Sequence, residues 1–185
     1  MGKCANGLFR PRRGLTEKPI ATLWDASIMN WRGDLMPHSL SGVNVHLVFG
    51  VKYRSPLLKP GIRKRLYAFI AATLEKCKCF PLEIDGTEDH VHCLFVLGRQ
   101  YSIAKIVEEL KKSSSKWLKT NGSEHSNFYW QIGYGIFSVS YSQIELVKTY
   151  IRTQDSHHRH MSFVEERRSL LIKHGFSLND WDIDD

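Results

Sequence analysis

Apolar residues recur at every second position from Val43 to Val51. Val43, Val45, Leu47, Phe49 and Val51 alternate with Asn44, His46, Val48 and Gly50, the period of a strand. Lys52, Tyr53 and Arg54 follow, and Pro56 ends the run. The period then lengthens. Leu66, Phe69, Ile70, Thr73 and Leu74 predict a helix from about Ile62 to Lys78, opened by Pro60-Gly61, with Arg63, Lys64, Arg65 and Lys76 on its outer side. Phe80 to Gly86 reads as a second strand. The short polar link Thr87-Glu88-Asp89 leads into a third, Asp89 to Leu97, and pairs the two as a hairpin.

The second half repeats the scheme. Ser102 is placed to N-cap a helix whose stripe is Ile103, Ile106, Val107, Leu110, Trp117 and Leu118, broken at Asn121-Gly122-Ser123. Residues 128–140 form an aromatic-rich strand region in which Gly133 and Gly135 suggest a bulge or a close backbone approach. Ser142 with Glu145 has the spacing of a capping box for a third helix with Ile144, Val147 and Ile151 buried. A fourth helix runs from Ser162 to His174 and stops at Gly175, before a short acidic end at Asp180–Asp185. The order strand, helix, strand, strand, helix, strand, helix predicts an α+β protein. Its expected form is a ferredoxin-like or RRM-like antiparallel sheet with helices on one face.

Residues 1–38 break the pattern. They have few periodic apolar positions and a basic, proline-containing patch, Arg10-Pro11-Arg12-Arg13. They read either as an upstream extension, with Met36 as the functional start, or as a DNA-contacting arm. The extension is the favoured reading, poorly structured and dispensable for folding. The domain proper is then 39–185.

The polar positions of the third strand are in an odd place. In Asp89-His90-Val91-His92-Cys93-Leu94-Phe95-Val96-Leu97, both faces are apolar toward the end, as in a strand covered on both sides. His90 and His92 point the same way. Such neighbours lie roughly 6–7 Å apart, close enough to share one metal ion. Two core-edge histidines satisfied by backbone and water would produce the same pattern. His46, off the stripe of the first strand, reads as a hydrogen-bonded sheet residue. On the third helix, Leu146, Tyr150 and Gln154 follow at four-residue spacing, so Tyr150 and Gln154 project from one face.

Composition narrows the partners. The chain has 185 residues, is 42% hydrophobic and carries a formal charge of +7. It is long enough for one full core, and the charge favours a polyanionic partner. Lys105, Lys111, Lys112, Lys116 and Lys119, with Ser113, Ser114 and Ser115 between them, form either a solvated helix face or a phosphate grip. Lys111, Lys112, Lys116 and Arg152 are the candidate DNA contacts. The four cysteines, Cys4, Cys77, Cys79 and Cys93, have no zinc spacing and read as reduced thiols of a cytoplasmic protein. No run is apolar enough to span a membrane, and no GxxxxGK[ST] motif is present.

Three segments together resemble a known family. They are Asp89-His90-Val91-His92, then Trp130-Gln131-Ile132-Gly133-Tyr134-Gly135-Ile136-Phe137-Ser138-Val139-Ser140, then Tyr150-Ile151-Arg152-Thr153-Gln154-Asp155-Ser156-His157-His158. From about Met36 to the end the chain is similar to the HUH single-tyrosine transposases, the TnpA proteins of the smallest bacterial insertion sequences, relatives of the REP-associated tyrosine transposases. The resemblance implies the HUH endonuclease fold and a bacterial or archaeal enzyme acting on single-stranded DNA with subterminal hairpins. It implies a homodimer in which a tyrosine-bearing helix can complete the partner's site. It further implies Tyr150 as nucleophile forming a 5′-phosphotyrosine, and a divalent ion, Mg²⁺ or Mn²⁺, on His90, His92 and Gln154. His157 and His158 are extra ligands, proton shuttles or helix-end residues. Three rivals remain: a non-catalytic RRM-like nucleic-acid-binding module, a domesticated nuclease acting on repeated chromosomal hairpins, and a metal-dependent hydrolase of small phosphoesters.

Overall fold

A computed structural model describes residues 41–158 and 161–178. The N-terminal extension and the acidic end lie outside the described residues. The elements are β1 (Asn44–Gly50), α1 (Pro60–Lys76), β2 (Phe80–Gly86), β3 (His90–Val96), α2 (Ile103–Lys119), β4 (Gly135–Val139), α3 (Ile144–Arg152), α4 (Gln154–His157) and α5 (Phe163–Lys173). The four strands form one antiparallel sheet in the order β2-β3-β1-β4, the α+β arrangement the hydrophobic pattern predicts.

Alternation in the central strands decides which residues meet. Val45, Leu47 and Phe49 of β1 and Val91, Cys93 and Phe95 of β3 face one side. There they meet Leu66, Ile70 and Leu74 of α1 and Ile106, Leu110 and Leu118 of α2 in the main core. Ser102 caps α2 as expected, accepting from the Lys105 amide at 3.2 Å.

The other sheet face is covered as well, which corrects the expectation of helices on one face. Val48 and Phe137 pack there with Phe163, Leu170 and Leu171 of α5 in a second apolar cluster, and α3 packs against β2 and β3. The physical reason is in β1 and β3: His46, Val48, His90, His92 and Leu94 on that face are all buried, and a face with that much apolar and imidazole surface is not left to water.

Two other expectations change. The aromatic region is strand only from Gly135. Before it, Trp130 makes a single bridge to Val51, and Gln131 donates its amide to the Gly50 carbonyl at 2.9 Å. Gly133 takes φ +81°, a conformation that suits glycine. The freed carbonyls of Gln131 and Gly133 accept from Lys111 Nζ, the first at 2.7 Å. The capping box lies elsewhere too. A 3₁₀ turn, Tyr141–Gln143, precedes α3, and Gln143 caps it without a side-chain bond. Glu145 instead pairs with Lys148 at 2.8 Å. Ser162 and Glu165 make the reciprocal box, on α5.

The β2–β3 hairpin that delivers His90 is tight. A Cβ at Gly86 would overlap the His90 carbonyl oxygen and the Val91 backbone. Gly86→Ala is therefore expected to lower stability by about 2–4 kcal/mol. Gly61→Ala, at a helix position with open space around it, should be neutral or mildly stabilising. Urea midpoints of the two variants check this; equal midpoints would contradict it.

Candidate active site

On the α5 side of the sheet, three strand-borne imidazoles lie side by side. His90 and His92 of β3 are completely buried and their ring centroids are 5.0 Å apart. His46 enters from β1, whose register sets Val48 opposite His92 and His46 opposite Leu94.

Each β3 histidine has its Nδ1 engaged. For His90 the partners are Asp89 Oδ1 at 2.7 Å and Thr87 Oγ1 at 2.8 Å. Asp89 is in turn gripped by Arg54, through Nε at 3.0 Å and through its terminal nitrogen. Burial would raise the Asp89 carboxyl. His90 and Arg54 outweigh that and hold it well below the usual carboxylate range, so Asp89 is an acceptor and His90 Nδ1 carries the proton. Tyr53 and Arg54 itself adopt left-handed backbone, φ 55° and 54°, which costs of order 1 kcal/mol or more per residue. For His92 the Nδ1 partner is His46 Nε2 at 2.9 Å.

The Nε2 atoms of both rings face Glu166, a residue of α5 that is 1% exposed. His90 Nε2 is 3.5 Å from Oε2, and His92 Nε2 is 3.5 Å from Oε1, too long for directed hydrogen bonds. Glu166 Oε1 accepts from the Tyr150 hydroxyl and from Gln154 Nε2 at 3.0 Å, and Oε2 accepts from His158 Nε2 at 3.1 Å. Burial alone would raise this carboxyl; the His158 hydrogen bond and the His92 and His90 rings hold it far below its usual range, ionised. Burial and the Glu166 charge push the Tyr150 phenol above its ordinary value, so its hydroxyl keeps its proton here.

Burial also pushes the His90 imidazole down to about 4, only partly offset by Asp89, and burial with the His92 ring holds His46 well below the ordinary histidine range. Both are neutral at pH 7. His90 Nε2, His92 Nε2 and Gln154 Oε1 are buried without a hydrogen-bond partner among the described residues. The Nε2 atoms of two imidazoles and an ionised carboxylate thus converge, with the Gln154 amide bonded to that carboxylate. Ligating atoms of His90, His92 and Glu166 lie within 4.8 Å of one another. That donor set fits a divalent cation: mixed nitrogen and oxygen ligands, all buried, with a neutral and an anionic oxygen available.

Four residues singled out in the sequence, Tyr150, His90, His92 and Gln154, therefore meet within one chain. They do so although the helix breaks at Thr153, whose hydroxyl donates to the Thr149 carbonyl at 3.0 Å; Gln154 starts α4. The Tyr150 ring stands nearly perpendicular to His92, with centroids 6.0 Å apart. The candidate DNA contacts do not join them. Lys112 and Lys116 are exposed on α2. Lys111 is turned onto the Gln131 and Gly133 carbonyls, where burial lowers its ammonium to about 8. Arg152 pairs with Glu83, Nε to Oε2 at 2.7 Å. Sequence reasoning missed Glu166, the residue that touches all the others. Its signal was an acidic residue on the apolar stripe Phe163-x-x-Glu166-x-x-x-Leu170-Leu171, since a carboxylate on a buried stripe requires partners. His158, a candidate from the sequence, meets His90 edge to face with centroids 4.6 Å apart.

Residues 39–154 match the family described as "Transposase IS200 like". The chain belongs to the IS200-like transposases. No curated protein matches it significantly. Among solved structures it is similar to a candidate transposase from Deinococcus radiodurans R1, with 19% identity, TM-score 0.52, and coverage of 65% of this chain and 97% of that one. It is also similar to a REP-associated tyrosine transposase bound to a REP hairpin, with 15% identity, TM-score 0.48, and coverage of 81% and 80%. At 19% identity the first likeness speaks for the fold alone. The family match ends at Gln154, so Glu166 and His158 lie beyond the matched segment of this IS200-like transposase. No described helix is long and apolar enough to cross a membrane.

The neutral His90 makes stability pH-dependent. Its folded pKa is depressed to about 4 from 6.5, so the unfolded chain takes up a proton that the folded chain refuses. Stability is full above about 6.5 and is lost as pH falls toward about 4, on the order of 3 kcal/mol from this group. Urea midpoints with a chelator present should fall between pH 7.5 and 5; a flat profile would contradict the assignment.

Proposed function

We propose that this transposase cleaves and rejoins single-stranded DNA through a 5′-phosphotyrosine on Tyr150. The observation that carries the reading is the meeting of the Tyr150 hydroxyl and the Nε2 atoms of His90 and His92 on one buried carboxylate, Glu166. His90, His92, Gln154 and Glu166 would hold a divalent cation, Mg²⁺ or Mn²⁺. When bound, it supplies positive charge for the scissile phosphate and the departing oxygen. The chain's own residues do the rest. Tyr150 Oη forms a bond to phosphorus, the bond from phosphorus to the 3′ oxygen breaks, and its electron pair leaves on that oxygen. The phenolic proton has Glu166 Oε1 as its acceptor, on the line of the existing hydrogen bond. One phosphoester replaces another, so the reverse step rejoins strands without a nucleotide cofactor.

The substrates proposed are element ends with subterminal hairpins, drawn to a chain of charge +7. Lys112 and Lys116, exposed on α2, are the first candidates for phosphate contact. Lys111 and Arg152 would first have to leave the carbonyls and the carboxylate that hold them. A homodimer of this chain would carry two sites, each assembled from one protomer.

Incubation with labelled single-stranded hairpin DNA and Mn²⁺ should yield a covalent adduct that mass spectrometry maps to Tyr150. Tyr150→Phe should abolish the adduct while leaving DNA binding within about threefold. An adduct on Tyr134 or Tyr141 instead would sink the assignment.

Mixing separates assembly modes. Tyr150→Phe and His90→Ala/His92→Ala proteins are each expected to stay inactive after exchange into heterodimers, because the tyrosine reaches the histidines of its own chain. Restored cleavage would mean that the tyrosine helix crosses to the partner.

A further inference from the structure

The two β3 histidines are served by different partners. Asp89, anchored by Arg54, accepts from His90 Nδ1. Across the strand pair, His92 Nδ1 meets another imidazole, His46 Nε2, at 2.9 Å. His46 is 3% exposed, its ring lies nearly parallel to His92 with centroids 5.1 Å apart, and its edge meets the Tyr150 ring at 6.2 Å. A neutral imidazole has one N–H and one lone pair. Between two imidazole nitrogens joined Nε2 to Nδ1, one ring donates, and that choice decides what His92 shows to Glu166. If His46 donated, the His92 proton would sit on Nε2 and no lone pair would face the cluster. If His92 donates, its Nε2 lone pair points at the site, matching His90.

We propose that His46 is a positioning residue: it accepts the His92 Nδ1 proton and so keeps His92 Nε2 available as a ligand atom facing Glu166 and Tyr150. The inference rests on the cation-assisted reading of the site, and it adds the residue that sets which His92 nitrogen is free. A ligating histidine commonly hands its second N–H to an acceptor, which fixes ring orientation and raises basicity. Here that acceptor is a buried imidazole on the neighbouring strand, placed by sheet register. Its position two residues before Val48, itself opposite His92, makes His46 a diagonal neighbour on the same face.

The experiment has two readouts on the full chain. Long-range ¹H–¹⁵N NMR of the metal-free protein reports the tautomer of His92 directly; the Nδ1–H form is expected. Electron paramagnetic resonance of free Mn²⁺ then gives affinity. His46→Phe, folded by near-ultraviolet circular dichroism, should lose the single tautomer and weaken Mn²⁺ binding about 10-fold or more. His46→Gln, whose carbonyl oxygen reaches the Nε2 position, should keep the tautomer and most of the affinity. An Nε2–H tautomer in the unmodified protein overturns the proposal, whatever the variants do, and so does unchanged Mn²⁺ affinity in His46→Phe. If the unmodified protein bound no Mn²⁺, the cation reading of the site would fail, while the tautomer measurement would still decide the role of His46.

Discussion

A buried carboxylate needs partners, and in this transposase Glu166 collects almost every polar group of the site. Taking an ionised carboxyl out of water costs several kcal/mol unless hydrogen bonds and positive charge replace the lost solvation. Glu166 receives hydrogen bonds from Tyr150, Gln154 and His158, which lie on α3, α4 and the segment just after it. Its own helix is held down by Phe163, Leu170 and Leu171 against Val48 and Phe137. The apolar docking of α5 and the polar convergence are thus one arrangement: the stripe that buries the helix also drives its carboxylate into the sheet.

The sheet supplies the opposite half. Because β1 and β3 pair antiparallel with Val48 opposite His92, three imidazoles are set on one face at spacings that side-chain flexibility alone would not maintain. Each outer bond then orients a ring. The strain accepted at Tyr53 and Arg54 makes sense in this light, since it places the guanidinium that steadies Asp89, which steadies His90. Polar groups this deeply buried are rigid only when fully paired. Among the described residues, atoms of His90, His92 and Gln154 are left without a hydrogen bond, and all three residues border Glu166.

A phenol beside an anion is a reluctant nucleophile. Burial and Glu166 both hold the proton on Tyr150. Under the proposed function, positive charge and a phosphate brought to the site would change that electrostatic balance and couple the readiness of Tyr150 to the presence of both.

The sequence by itself determined the strand and helix periods, the hairpin, and the placement of His90 with His92 on one strand face and of Tyr150 with Gln154 four residues apart. These follow from local geometry: periods of 2 and 3.6 are properties of the backbone, legible without any partner. The family too was legible, because its motifs are local strings. Only the tertiary structure decided the rest. Lys111 and Arg152 looked like free cations, but carbonyls and a carboxylate distant in sequence hold them. The aromatic region looked like one long strand, but the irregular approach of Trp130 to Val51 ends the ladder early. Ser142-x-x-Glu145 and Ser162-x-x-Glu165 have the same spacing, and only the path of the chain into each helix chose the second. Glu166 is 74 residues beyond His92 in the chain, and His46 is 46 before it. No period connects them, and only the folding of α5 and β1 around β3 makes them neighbours.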